Sequence, residues 1–152
     1  MLPNKIDFTS MSKHDIQEFI VAVEKEAFEV DENFKVELPL KHHFSKGVYA
    51  REIHIPTGHL IVGKIHKHEN LNILSQGELT VISIDGCFKL KAPATFVSSP
   101  GVKRLAFVHE DVVWTTVHGT DETDLEKIEE EFIVKSYDDL IENKEVLWLG
   151  QR

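Results

Sequence analysis

Cysteine is almost absent: Cys87 is the single thiol in 152 residues. That excludes a disulfide within the chain and any zinc or iron–sulfur site built from several cysteines of one chain. A metal here would have to be held by histidine and carboxylate. Positive charge is also scarce, with 17 Lys and Arg against 26 Asp and Glu and a formal net charge of -9. This balance argues against a nucleic-acid groove, which needs a basic face. The excess acid is local: residues 121–145 hold eleven acids against Lys127, Lys135 and Lys144, and are expected to form a solvated helix surface. No apolar run approaches the ~18 residues of a membrane helix, so no membrane partner is expected. The opening residues Met1 to Lys5 lack the apolar core of a signal peptide, and a cytoplasmic location follows as the expectation. Also missing are a Gly-rich phosphate loop, a G-x-S-x-G elbow and any Cys/His pairing that suggests a nucleophile.

What is present fits one domain, with 41% hydrophobic residues and a length able to bury roughly two-thirds of its unfolded surface. Residues 12–28 predict an amphipathic helix, with Ser12 as N-cap and Ile16, Phe19, Ile20, Val23 and Ala27 at helical spacing. Residues 29–45 read as irregular, with His42-His43 in a loop. From 47 to 118 the character changes to short β-branched or aromatic runs at 48–55, 60–66, 70–74, 79–84, 87–90, 95–97, 105–109 and 112–118. Pro56-Thr57-Gly58, Ser75-Gln76-Gly77, Asp85-Gly86, Pro100-Gly101 and Glu110-Asp111 punctuate them, and Asp85-Gly86 is a strong hairpin signal. Such a series predicts a sandwich or barrel.

After Gly119 the helical pattern returns, capped by Thr120 or Thr123, with Leu125, Ile128 and Phe132 as its buried stripe. A second short helix is expected from Ser136. The expected organisation is mainly β: a helix and arm over 1–46, a barrel over 47–119, and an acidic helical segment over 120–152.

Two spacings stand out. Gly58, five residues, Lys64-Ile65-His66, three residues, Asn70, six residues and Gly77 form the first. Pro93, five residues, Ser99-Pro100-Gly101, two residues and Arg104 form the second. They resemble the two motifs of the cupins, and the resemblance implies a small jelly-roll barrel. In that family two His and a Glu of the first motif and a His of the second usually hold one divalent metal. An alternative register, with His66-Lys67-His68 as the two His, leaves only Glu69 before Asn70 and cannot close the hairpin, so His68 is expected in the turn. The resemblance therefore places Lys64, His66, Asn70 and Arg104 at the metal-ligand positions, with His66 alone keeping a metal-binding side chain. Val108 stands where the second motif ends in Asn.

Arg cannot ligate a metal, and Lys64 with Arg104 would bring two positive charges to one wall. Such a site repels cations and attracts carboxylate, phosphate or a sugar acid. No metal or other cofactor is expected; His66 would be the ligand if there were one. Trp114, Thr116 and His118 share one strand face, so His118 and Thr116 join His66 in the pocket if that face points inward. Tyr49 and Arg51 are further candidates for a polar wall. Against this stands a filled barrel, with Lys64 reaching out to solvent, Arg104 paired with an acid such as Glu52, and His66 hydrogen-bonded in the core. The cluster His109-Glu110-Asp111 reads as corner residues.

A wider set of stretches resembles small cupin-like proteins of tailed bacteriophages, over roughly residues 35–132. It comprises His42-His43-Phe44, the run from Gly47 to Glu52, Lys64 through Gly77, Pro100 through Arg104, His109 through His118, and the acidic Thr-Asp-Leu-Glu-Lys run from Thr123. This implies a phage origin and a location in the host cytoplasm or on the virion. The leading expectation is a non-enzymatic protein that binds a small anionic molecule or serves as an accessory or assembly factor, and forms a homodimer. The alternatives are a cupin enzyme and a virion-associated structural subunit. The enzyme would be a metal-dependent isomerase or oxygenase, or metal-free and epimerase-like, with His66 as general base and Lys64 steadying an enolate.

Overall fold

The computed structural model describes residues 7–29 and 37–134. A 3-10 turn, Phe8–Ser10, leads into helix α1, Lys13–Glu29. As expected, the Ser12 hydroxyl caps it by accepting from the Asp15 amide at 3.1 Å. Ile16 and Ile20 of α1 bury against Leu105, with Phe19 and Val23 packed beside them; the side chain of Ala27 lies outside the described residues. Gln17, which carries no hydrophobic signal, is fully buried on the same face. Its amide donates to the Gly101 carbonyl at 2.7 Å and accepts from the Lys103 amide at 3.2 Å. Lys103 in turn pairs with Glu24 at 2.6 Å. Helix α1 thus clamps the segment that delivers Arg104.

Seven antiparallel strands follow: β1 Leu40–Ser45, β2 Val48–Ile55, β3 Leu60–Val62, β4 Asn70–Ser83, β5 Gly86–Lys91, β6 Ala94–Ser98 and β7 Leu105–Gly119. They run in the order β1-β2-β7-β4-β5, with β3 also on β7 and β6 also on β4. The mainly β barrel flanked by two helices is the architecture expected from the sequence.

Four local expectations are corrected. Residues 40–45, expected as loop, form β1 and pair along β2 from Leu40 with Ile53 to Ser45 with Val48, so the sheet begins before residue 47. All six residues of β1 are exposed, so this edge strand shows no burial pattern to read; the turn that makes it has Gly47 at φ 75°. Ser75-Gln76-Gly77 and Glu110-Asp111 are not turns between strands but the bends of β4 and β7, where the register shifts between Leu74 and Leu79. The expected strand 60–66 stops at Val62, because the Gly63 amide goes to the Arg104 carbonyl at 2.9 Å. Residues 65–67 bond the segment around residues 132–134 instead, the Lys67 amide to the Phe132 carbonyl at 2.7 Å and the Val134 amide to the Ile65 carbonyl at 2.9 Å.

The fourth correction concerns helix α2, Leu125–Phe132, which is capped by Asp124 rather than Thr120 or Thr123. The Asp124 carboxylate accepts from two amides, those of Glu126 and Lys127, whereas the Thr120 hydroxyl serves the preceding turn through Glu122. Ile128 and Phe132 are buried as expected and Leu125 is largely exposed. The helix expected from Ser136 lies outside the described residues.

Ile55, Leu74, Leu79, Val81, Ala106, Val108 and Val112 fill one half of the barrel, each at most 5% exposed. A buried side chain of this size contributes roughly 1.5–3 kcal/mol. The half nearer α2 is left hollow. Among the described residues no helix is long and apolar enough to cross a membrane.

Candidate functional site

The hollow half is a cavity of about 500 Å³, walled by strands β1, β2, β4 and β7 and by the segments at residues 59–66 and 102–106, and roofed by α2. Strand register stacks its lining in layers. Along β2 and β7, Tyr49 lies opposite His118, Arg51 opposite Thr116, Ile53 opposite Trp114 and Ile55 opposite Val112. Successive layers along a strand are ~6.6–6.8 Å apart.

The top layer is aromatic. His118 is 5% exposed and sits between rings: His66 at 5.2 Å, Tyr49 at 6.0 Å and Phe132 of α2 at 4.5 Å. Tyr49 also receives His42 of β1, whose Nδ1 lies 2.8 Å from the phenol oxygen. The Nδ1 atom of His118 is buried without a hydrogen-bond partner among the described residues. Burial, then the charges of Arg51 and His68, holds the His118 imidazole down to about 4. Burial, then His118, Arg104, Arg51 and Lys64, holds His66 down to about 3. Both rings are neutral at pH 7.

The second layer carries the charge. Asn72 lies opposite Thr116 on one side and Phe96 on the other. Its carboxamide oxygen accepts from Trp114 Nε1 at 2.9 Å and Thr116 Oγ1 at 3.2 Å. Its nitrogen donates to Asn70 Oδ1 at 2.8 Å and Ser98 Oγ at 2.7 Å. All four bonds this side chain can make are therefore filled from within the protein. The Arg104 guanidinium stands 5.6 Å over the Phe96 ring. The layer thus runs from Arg51 through Thr116, Asn72 and Phe96 to Arg104. Among the described residues no carboxylate lies within ion-pair distance of Arg51 or Arg104. Burial lowers the Arg104 pKa, opposed by the charge of Asp85, but a guanidinium stays protonated.

Of the residues expected in the site, His66, Arg104 and His118 line the cavity, with Lys64 at its rim. Lys64 is about half exposed and pairs with Glu129 of α2. Asn70 is corrected: it is buried behind Asn72 and does not line the cavity. Asn72, two residues on, takes the inward place, and its signal was an amide at core parity between Asn70 and Leu74. The proposed pairing of Arg104 with Glu52 does not occur, since Glu52 is engaged by His43, His54 and Lys41. His42, read as loop, is a lining residue, as are Arg51, Trp114 and Thr116. In His109-Glu110-Asp111 the aspartate holds the turn at Thr57, accepting from its amide at 2.8 Å and its hydroxyl at 2.9 Å.

No protein-family model matches the sequence, and no curated protein matches it. Solved structures similar to it include a cupin-2 domain protein from Shewanella frigidimarina, at 12% identity over 63% of this chain and 99% of that one, TM-score 0.46. KdgF from Halomonas is 14% identical over 57% and 84%, TM-score 0.48. An uncharacterised Klebsiella pneumoniae protein with a double-stranded β-helix domain is 17% identical over 59% and 83%, TM-score 0.49. The architecture is the seven-stranded antiparallel β fold with flanking helices described above, and at these values the likeness brings neither a family nor an activity with it.

The resemblance of the two sequence spacings to the cupin motifs implies a metal, and the donors here do not fit one. Among the described residues no three His, Cys, Asp or Glu side chains are grouped to hold an ion. His66 and His118 meet face to face, with 27° between their planes. A ligating lone pair lies in the ring plane, so stacked rings do not converge on a common ion. Two unpaired guanidiniums beside them would repel it.

Proposed function

We propose that this protein is a cupin-type binding protein for a small anionic molecule, held in the cavity beneath α2. The observation that carries the reading is the pair Arg51 and Arg104, two half-buried guanidiniums in one layer with no carboxylate partner among the described residues. The one acidic residue on the wall, Glu129, already pairs with Lys64. Unpaired buried charge is costly, and an anion answers it with charge-assisted, bidentate hydrogen bonds.

Phosphate, sulfate or a small carboxylate should raise the melting temperature more than chloride at matched ionic strength, and the difference should disappear in Arg104→Ala. Equal stabilisation of both proteins would trace the effect to exclusion of salt from the surface, and the reading would fall.

The accessory or assembly role in a tailed phage rests on the sequence stretches quoted above. Pairing into a homodimer is part of the same reading, supported by the exposed edge strand β1 with Phe44 uncovered; light scattering at micromolar concentration tests it. An epimerase-like enzyme with His66 as base finds less support, because His66 is a weak base at about 3 and no carboxylate among the described residues orients it.

A further inference from the structure

Beneath the layer of Arg51 and Arg104 the cavity wall is mostly apolar, with His59, whose Nδ1 lies 3.0 Å from the Pro56 carbonyl oxygen, as its polar exception. Leu40 lies opposite Ile53, and Ile53 opposite Trp114. Leu38, Ile55 and Ala106 continue the lining toward the packed core. From Arg51 to Ile55 is two inward steps along β2, roughly 13–14 Å of depth. Asn72, the one amide at this level, has no free bond to offer, and the Trp114 indole N–H is taken by it. A polyhydroxylated ligand would bury its hydroxyls here without partners. Inorganic phosphate would fill only a fraction of about 500 Å³, a volume in the range that holds drug-sized molecules.

We propose that the ligand is an amphipathic carboxylate, its head at Arg51 and Arg104 and an aliphatic or aryl body lying along Ile53 and Trp114 toward Ile55. The inference rests on the anion-binding reading and specifies its ligand. Arg104 grips the carboxylate from the Phe96 side and Arg51 from β2. The apolar body displaces cavity water from Leu40 and Ile53 and ends against the packed core at Ile55. Each methylene so buried tightens binding roughly fourfold.

Four probes decide it in the intact wild-type chain by titration calorimetry at fixed ionic strength: acetate, octanoate, octanol and glucuronate. Octanoate, with six more methylenes to bury, should bind on the order of a thousandfold more tightly than acetate, and well above glucuronate and octanol. A Trp148→Phe chain, which leaves Trp114 as its only indole, should lose fluorescence with octanoate brominated at its far end. Glucuronate or acetate matching octanoate would overturn the amphipathic ligand and leave the anion reading standing. Octanol matching octanoate would overturn both, because the charge would then do nothing. Binding of none of the four would likewise remove both. Tight octanoate binding without quenching of Trp114 would place the body elsewhere and overturn the pose.

Discussion

Trp114 donates its indole N–H to Asn72 Oδ1 at 2.9 Å, tying β7 to β4 at the layer that carries the cavity's positive charge. The same oxygen serves Thr116, and the amide nitrogen holds Asn70 and Ser98. One side chain thus fixes four groups that water reaches poorly. Asn72→Ala should therefore cost about 2–3 kcal/mol, since it leaves buried donors and acceptors unpaired. Asn72→Asp should not rescue it, because a carboxylate cannot donate to Asn70 or Ser98. Chemical denaturation of both variants measures this.

Gly77 stands where β4 bends, at φ 92°, and a Cβ there would lie 2.3 Å from the Asp111 carbonyl oxygen. Neither strand can yield without losing the bend. Gly77→Ala should be among the most damaging substitutions in the chain, at more than about 3 kcal/mol. Gly86→Ala meets nothing within 4 Å at φ 117° and should cost only the backbone strain, about 1 kcal/mol. Paired thermal melts separate steric conflict from strain.

The barrel was legible because its strands alternate and its hairpin at Asp85-Gly86 has specific turn chemistry. What escaped was whatever the hydrophobic pattern does not encode. Strand β1 is an exposed edge, so His42 read as loop although it lines the cavity. Ser75-Gln76-Gly77 is written in turn residues, yet a glycine at positive φ serves a bulge as well as a turn. Asn70 was placed by motif spacing, and an error of one pleat repeat in that spacing keeps the same strand face, which is where Asn72 sits. The stretch after β3 bonds the end of α2, through Lys67 and Ile65. Arg104 and His66 were placed by the spacing of the two motifs, and both line the cavity.

Stability should fall with acid in a window set by His66 and His118. Their folded values of about 3 and about 4 lie below the ordinary 6.5. Between these limits the unfolded chain binds more protons than the folded one, so stability rises with pH and is lost as pH drops below 6.5. The loss should be several kcal/mol by about pH 4, and His118→Phe should flatten the upper part of the curve. Glu52, whose pKa is lowered by its bonds to His54 and His43, loses its contribution only as pH falls below the ordinary carboxylate range. Denaturation at pH 7, 6, 5, 4 and 3 resolves the two windows. A flat profile from 7 to 5 in the unmodified chain would contradict the buried, neutral imidazoles.

Lys64 and Glu129 pair across the rim between the end of β3 and α2, each with more than half its side chain exposed. Such a pair contributes at most about 1 kcal/mol to stability, so its larger effect should be on the ligand. With Lys64 intact, the Glu129 charge at the mouth is compensated. Lys64→Ala exposes that charge to an incoming anion and should weaken binding of an anionic probe several-fold, with little change in melting temperature. Glu129→Gln frees the ammonium and should strengthen binding by a similar factor. Lys64→Ala combined with Glu129→Gln should return close to wild type, because the rim is again neutral. All three effects should shrink as ionic strength rises, since these charges are open to screening. Titration of the four proteins at low and high salt tests the cycle. If Lys64→Ala binds as tightly as wild type at low salt, the rim pair plays no part in anion binding, and recognition would rest on Arg51 and Arg104 alone.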